Sequence, residues 1–417
     1  MELLIKNIKS LIQVEEYPKK KAAGKEMSLL NTLDDSWLLI SEGVIKDFGR
    51  MTDAAFKETS SGNLSGSIMD ASGKVVMPAF CDPHTHLVYA GSREREFVDR
   101  IRGLSYQEIA KRGGGILNSA RLLNETNEEE LYRQSLQRIN EIISQGTGAV
   151  EIKSGYGLNK ADELKMLRVI KRLKESTPVE IKSTFLGAHS IPDEYKTDPD
   201  AYVDIVINEM IPAVAAEGLA DFIDVFCDKG FFSVRQTERI LEQGAKYGML
   251  PKIHANELAF SGGIQTGVKY GALSVDHLEF TGDEEIKSLW HSETMPTLLP
   301  GTSFFLGLED PPARRMIDAG LPVAMASDYN PGSCPSGNMN FIMSLGCIRL
   351  KMNPEEVINA VTLNSAYAMG LEETHGSIVR GKTANLIITK EIPGYEYLPY
   401  AFGSNLIGTV ILNGIIQ

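Results

Sequence analysis

From residue 78 to residue 326, short apolar runs of strand length alternate with longer stretches whose apolar residues recur at helical spacing. This alternation constrains the fold more than any other feature of the 417-residue chain. Candidate strands are the run into Cys81 and residues 148–154, 179–187, 222–227, 252–255, 274–276, 294–298 and 322–326. Most are followed by helical pattern. Thr126 and Glu129 are spaced as a capping box. Behind them Leu131, Leu136, Ile139, Ile142 and Ile143 share one helical face, and Gly146 can stop that helix. A second helix is predicted over 160–175, with Leu164, Leu167, Ile170 and Leu173 on one side and Pro178 past its end. Eight strand–helix units over about 300 residues predict an α/β chain folded as a TIM-type (β/α)8 barrel. The competing architecture is an open doubly wound sheet. Such a sheet usually carries a glycine-rich nucleotide turn after its first strand, and residues 81–86 are not one.

The flanks read differently. Short apolar runs at 3–8, 37–40 and 44–48 are separated by turn-rich stretches, with a Ser/Gly/Asn loop at 59–66. The tail repeats the pattern at 377–379, 386–389 and 409–412. The expectation is a small composite β-sandwich domain from residues 1–77 and 377–417, around a catalytic barrel over 78–376.

An apolar fraction of 43% with a net charge of -13 excludes a disordered chain, and no Lys/Arg-dense stripe offers a nucleic-acid surface. The four cysteines are scattered and form no C-x-x-C pair, which excludes a disulfide framework and argues against a thiolate metal site. The opening Leu-Leu-Ile run is too short for a signal peptide, and the charge-free stretches 329–348 and 397–417 are broken by Pro, Gly or Asn. A cytoplasmic protein without nucleic-acid or membrane partners is expected.

Five of the seven histidines sit at or just after candidate strands: His84, His86, His189, His254 and His277. In a parallel barrel the strand C-termini face one rim, where active sites are built. His84 and His86 are two apart on an extended strand, so both imidazoles can reach one ion. His254 and Asp328, each at the end of its own strand, complete a candidate set of three imidazoles and a carboxylate that suits a divalent metal. A metal ion lowers the pKa of the water it holds, which gives a nucleophile for a carbonyl or amidine carbon. Glu257, three residues beyond His254, is placed to shuttle the proton. His277 can hold the water, orient the oxyanion or serve as a fifth ligand. Glu257, His277 and Asp328 are the predicted catalytic group.

Other rim segments suit substrate. Arg93 can hold a carboxylate in a two-bond fork or pair with Glu94 or Glu96. Tyr156 offers a hydroxyl within a glycine-flanked turn. Asn330 and Ser333 offer hydrogen bonds beside the unshielded backbone of Gly332.

These residues carry a resemblance. Met77-Pro-Ala-Phe-Cys-Asp-Pro-His-Thr-His86 resembles the entry signature of the amidohydrolase superfamily of metal-dependent hydrolases. Gly376-Ser-Ile and Gly381-Lys-Thr-Ala-Asn-Leu386 resemble its C-terminal return to the β domain. Further pieces are similar to the branch that hydrolyses 4-imidazolone-5-propanoate in histidine degradation. They are Gly91-Ser-Arg-Glu94, Gly113-Gly-Gly-Ile116, Lys153-Ser-Gly-Tyr-Gly157, Gly187-Ala-His-Ser-Ile-Pro192, Leu299-Pro-Gly301 and Asn330-Pro-Gly-Ser333. The resemblance implies hydrolytic ring opening to N-formimidoyl-L-glutamate. It implies one zinc or iron ion on His84, His86, His254 and Asp328, and substrate contacts from Arg93, Tyr156, His189 and Glu257. It also implies that Asn330, Gly332 and Ser333 line the substrate and product site. Ala79 and Asn385 depart from the superfamily's usual Gly and Asp, away from the ligands. Binuclear relatives bridge their metals with a modified lysine; Lys153 is not expected to be a ligand. A homodimer is the common assembly for such chains. The enzyme alternative is a deaminase of a cyclic amidine or base, which would share the ligands but release ammonia. The non-enzyme alternative, a metal-free scaffold, would be expected to have lost a ligand or the acid/base, and all are present.

Overall fold

The computed structural model describes residues 2–61, 66–104, 108 and 114–417. The chain opens with β1 (Glu2–Ile12), β2 (Thr32–Ser41), β3 (Val44–Arg50), β4 (Ser67–Asp70) and β5 (Lys74–Pro78). The barrel strands follow: β6 (Phe80–Thr85), β7 (Thr147–Lys153), β8 (Glu180–Ala188), β9 (Phe222–Cys227), β10 (Leu250–Ala255), β11 (Ser274–His277), β12 (Met295–Leu298) and β13 (Ala324–Met325). The tail adds β14 (Leu386–Glu391), β15 (Ile407–Leu412) and β16 (Ile415–Ile416).

The terminal strands form one sheet in the order β16-β15-β14-β5-β1-β2-β3, with β4 also paired to β1. Strands from both ends of the chain therefore share one hydrogen-bonded layer. A bulge between Ile5 and Ile8, with Asn7 at φ 56°, keeps Ile8 in the same core as Leu3 and Ile5. The sheet curls on itself. Leu38, Ile45 and Phe48 from one end share a core with Leu386, Ile388 and Ile411 from the other, and Gly43 packs against Gly414 where two turns meet. The sandwich is thus one folded-over sheet. The run at 377–379 contributes only an isolated bridge between Ile378 and Val14. Of the predicted loop at 59–66, residues up to Ser61 belong to the helix Ala54–Ser61, and 62–65 lie outside the described residues, as does Gly113.

The barrel strands run in order from β6 to β13, each parallel to its neighbour. Closure falls just beyond the two-residue β13: the Asp328 N–H donates to His84 O and the His86 N–H to Tyr329 O, both at 3.0 Å. The predicted helices appear as Glu128–Ser144 and Lys160–Ser176. The first is capped one residue later than expected: Asn127 accepts from the Glu130 N–H, while the Thr126 hydroxyl turns back to Leu122 O and ends the preceding helix, Ile116–Glu125. An Asn at that position caps better than a Thr committed to its own helix.

The two sheets are joined without a gap. Val75, Met77, Ile387 and Val410 pack in the barrel's hydrophobic cluster, and the Asn364 side chain bonds both the N–H and the C=O of Ala22. No described helix is long and apolar enough to cross a membrane.

Candidate active site

The metal ligands predicted from sequence converge at the strand C-termini. His84 and His86 come from the end of β6, His254 from β10, and Asp328 from the turn after β13. One ring nitrogen each of His84, His86 and His254 lies within 4.8 Å of the others. His254 Nε2 is 3.3 Å from His86 Nε2, and Asp328 Oδ1 is 3.7 Å from the Nε2 of both His84 and His86. All four side chains are buried.

Burial first, then Lys153 for His84 and the competing imidazole of His189 for His86, pushes both well below the usual imidazole range, so both are neutral and carry a lone pair. His84 Nδ1 contacts Asp276 Oδ2 at 2.6 Å. That contact puts the proton on Nδ1 and leaves Nε2 bare; His84 Nε2 is buried with no hydrogen-bond partner. A buried, unpartnered imine nitrogen costs free energy unless something accepts its lone pair. The facing nitrogens of His86 and His254 pose the same problem. The donor set therefore fits a divalent cation on its own chemistry.

Asp328 is held in place by two hydroxyls. Its Oδ2 accepts from Thr302 Oγ at 2.5 Å and Ser333 Oγ at 3.1 Å, which leaves Oδ1 toward the imidazoles. Burial raises its pKa to about 6 against these hydrogen bonds and the opposing pull of His254. Its backbone sits at φ 55°; His277 (φ 85°) and Asn256 (φ 56°) are also left-handed. Such conformations cost about 1–3 kcal/mol each and cluster where a site demands them.

His277 Nδ1 is 3.7 Å from Glu257 Oε2, and the His277 ring is 5.2 Å from that of His254. Glu257 follows β10, and its N–H donates to Asp228 Oδ2. Burial, then Glu279 and Asp328, raises its carboxyl well above the usual range. Glu279 is pushed up to about 8 by burial; its Oε1 accepts from Ser303.

The substrate-side residues are brought together in part. His189 stacks on His86 at 4.8 Å with an interplanar angle of 10°, and Tyr156 lies 5.8 Å from His86. His189 Nδ1 is 3.1 Å from Gly155 O, which can only accept, so Nδ1 carries the proton. A Cβ at Gly155, which has φ 110°, would lie 2.8 Å from that nitrogen. Arg93 takes the ion pair that sequence left open: Nε and Nη2 both donate to Glu96 Oε2, at 2.9 and 2.6 Å. Its Nη1 faces the turn after β13, where a Cβ on Gly332 would come within 2.1 Å. Arg93 is thus anchored by Glu96 with one amino group toward Gly332. Asn330 is committed to its own turn: Nδ2 donates to Asp328 O and Ser333 Oγ, and Oδ1 accepts from the Gly332 and Ser333 N–H groups. It shapes the turn rather than offering a free hydrogen bond.

Sequence reasoning missed the layer beneath. Glu151, Lys153, Asp224, Lys252 and Asp276 are fully buried inside the barrel. Lys153 Nζ contacts Glu151 at 2.6 Å, Asp224 at 2.8 Å and Asp276 at 3.6 Å. The available signal was a charged residue within an otherwise apolar strand, as in Phe222-Ile-Asp-Val-Phe-Cys227. Burial opposes the Lys153 charge, but the three carboxylates outweigh it and raise its pKa.

A sequence profile of the Amidohydrolase family matches residues 75–416. The chain is 57% identical to an imidazolonepropionase of Christiangramia forsetii, over 99% of each chain. It is 56% identical to one of Flavobacterium johnsoniae, over 100% of each. Among solved structures, a triazine hydrolase variant superposes with a TM-score of 0.75 at 14% identity, covering 100% of this chain and 94% of that one; at that identity the likeness shows the fold alone.

Proposed function

The chain belongs to the amidohydrolase family and, within it, to the imidazolonepropionases, and from that premise we propose how its own residues carry the reaction. It is a hydrolase of histidine degradation that opens the ring of 4-imidazolone-5-propanoate, a small anion, to N-formimidoyl-L-glutamate. The family is metal-dependent and the histidine triad can bind a metal. We assign one zinc or iron ion to His84, His86, His254 and Asp328; when bound, it acidifies a water and polarises the ring carbonyl.

The rest is the work of side chains. Arg93, fixed by Glu96, offers the amino group on its Gly332 side to the propionate carboxylate. Tyr156 and His189 wall the ring side of the pocket. Glu257 takes the proton of the attacking water on Oε2 and returns it to the ring nitrogen as the carbon–nitrogen bond breaks. His277 holds the water or the developing oxyanion. Burial raises Glu257's carboxyl, which makes its ionised form a stronger base toward the proton of the water. Asn330, Gly332 and Ser333 shape the pocket edge, and Asp328 contributes through its carboxylate. The observation that carries the reading is the convergence of three buried imidazoles with unpartnered or mutually facing nitrogens, two of them 3.7 Å from Asp328 Oδ1.

Adding 4-imidazolone-5-propanoate to metal-replete protein and following its ultraviolet absorbance tests the reading. Loss of absorbance with formiminoglutamate as product supports it; ammonia release instead points to a deaminase. The same reading takes residues 1–77 with 377–417 as the β domain and 78–376 as the catalytic barrel. It places the enzyme in the cytoplasm as a homodimer, which sedimentation would check.

A further inference from the structure

The layer beneath the site has a geometry that the reaction alone does not explain. Two of the three histidines meet a carboxylate on the nitrogen turned away from the ion position. His84 Nδ1 is hydrogen-bonded to Asp276 Oδ2 at 2.6 Å, and His254 Nδ1 lies in ion-pair range of Asp224 Oδ2, at 2.9 Å but off the hydrogen-bond axis. Each carboxylate is fixed on its other oxygen too: Ser274 Oγ donates to Asp276 Oδ1 at 2.5 Å, and the His254 N–H donates to Asp224 Oδ1 at 3.1 Å. The same two Oδ2 atoms face Lys153 Nζ, at 2.8 Å for Asp224 and 3.6 Å for Asp276. Lys153 is positioned in turn by Glu151 Oε1 at 2.6 Å. Glu151 is itself bonded by Thr184 and by Lys252, whose Nζ also donates to Pro83 O. All these side chains but His254, which is 2% exposed, are at most 1% exposed.

A buried ammonium is expensive unless it is paired. Here two lysines meet three carboxylates, so the layer is nearly neutral. A metal-ligating imidazole needs its proton on the far nitrogen, and a carboxylate there fixes both tautomer and ring angle. Without a cation between them, Asp224 and Asp276 would repel each other and turn away from the imidazoles. We propose that Lys153 is a positioning residue of the metal site: its buried ammonium ties Asp224 and Asp276 together and so presents the correct nitrogens of His254 and His84 to the ion. This rests on the ligand set proposed above.

The test is zinc affinity of the full-length apo-protein, measured by competition with a chromophoric chelator, together with the His84 tautomer by ¹⁵N NMR of histidine-labelled protein. In the parent, the His84 resonances should report a proton on Nδ1. Lys153→Met should weaken zinc binding about 10–100-fold, the usual effect of losing such support. It should also spread the His84 proton over both nitrogens while circular dichroism stays unchanged. Lys153→Arg, which keeps the cation, should stay closer to the parent. A folded Lys153→Met that binds zinc within threefold of the parent overturns the proposal. So does a parent His84 protonated on Nε2, and that measurement decides alone if Lys153→Met does not fold. His84→Ala separates the two readings. If it binds zinc like the parent, the ligand set is wrong. If it loses zinc while folded Lys153→Met keeps it, only the role of Lys153 falls.

Discussion

The terminal sheet encloses Leu3, Ile5, Ile8, Leu38, Ile45, Leu386 and Ile411 in a cluster of apolar side chains, whereas the barrel buries Glu151, Lys153, Asp224, Lys252 and Asp276 beneath its histidines. Both sheets have eight strands, and both bury their inner faces. The difference lies in what burial is for. Apolar contacts in the terminal sheet each stabilise the fold by removing surface from water. In the barrel, every ionic contact mostly repays the desolvation of its own members, so the layer adds little net stability and much geometric definition. Damage to the terminal sheet should therefore register as lost stability. Damage at the rim should register as lost chemistry on an intact fold.

The strongest break in that comparison is His84→Ala, which should abolish turnover and metal retention while the melting temperature changes little. Full metal occupancy with normal turnover would show that the ligand set is wrong. Next is Glu257→Gln, which keeps shape and removes the proton site; kcat should fall by about 10²–10⁴ with metal content unchanged. Activity within threefold of the parent would take Glu257 out of the mechanism. The complementary case is Leu38→Ala. Leu38 is fully buried in the terminal sheet, and the substitution should cost about 2–5 kcal/mol of stability in denaturant titrations. Its kcat should stay at the parent value below the transition, and a fall in kcat of the folded variant would show the two sheets to be coupled.

A pH effect at the seam sharpens the contrast. His375 is buried, with Asn385 Nδ2 at 2.8 Å from Nε2 and Thr374 Oγ at 2.8 Å from Nδ1. Burial, then Lys382, lowers its pKa to about 4. The folded protein thus prefers the neutral ring, while the unfolded chain protonates near the usual 6.5. Stability is complete above about pH 6.5 and is lost as pH falls toward about 4, by up to about 3 kcal/mol. His375→Gln should flatten melting temperature against pH in that window; an unchanged slope would assign the acid sensitivity to the rim histidines. The smallest expected effect is Arg93→Lys. An ammonium cannot both keep Glu96 and reach a substrate carboxylate, so KM should rise roughly tenfold with kcat nearly unchanged. Unaltered kinetics would leave Arg93 as the partner of Glu96 alone.

Much of this molecule was legible in its residues, because the signals were local. Hydrophobic period gave the eight barrel strands and the helices near 128 and 160, and the strand ends placed His84, His86, His254 and Asp328 on one rim. Element edges were less legible. Thr126 and Asn127 are both good caps, and the choice fell to Asn127 once the Thr126 hydroxyl was spent on Leu122. The two-residue β13 could not be separated from its longer apolar run, because a barrel closes through backbone bonds made by residues beyond it.

The sequence by itself determined the fold class, the cluster of rim histidines and the family whose chemistry the chain shares, since these follow from residue type, period and motif. Only the tertiary structure decided that Arg93 pairs with Glu96, that Asn330 is spent on its own turn, and that Lys153 lies under the rim histidines between Asp224 and Asp276. Each of those outcomes is a choice among hydrogen-bond partners from different strands and loops. The free energy of a buried charge depends on how many such partners reach it at once, and that number exists only after the strands have closed into a barrel.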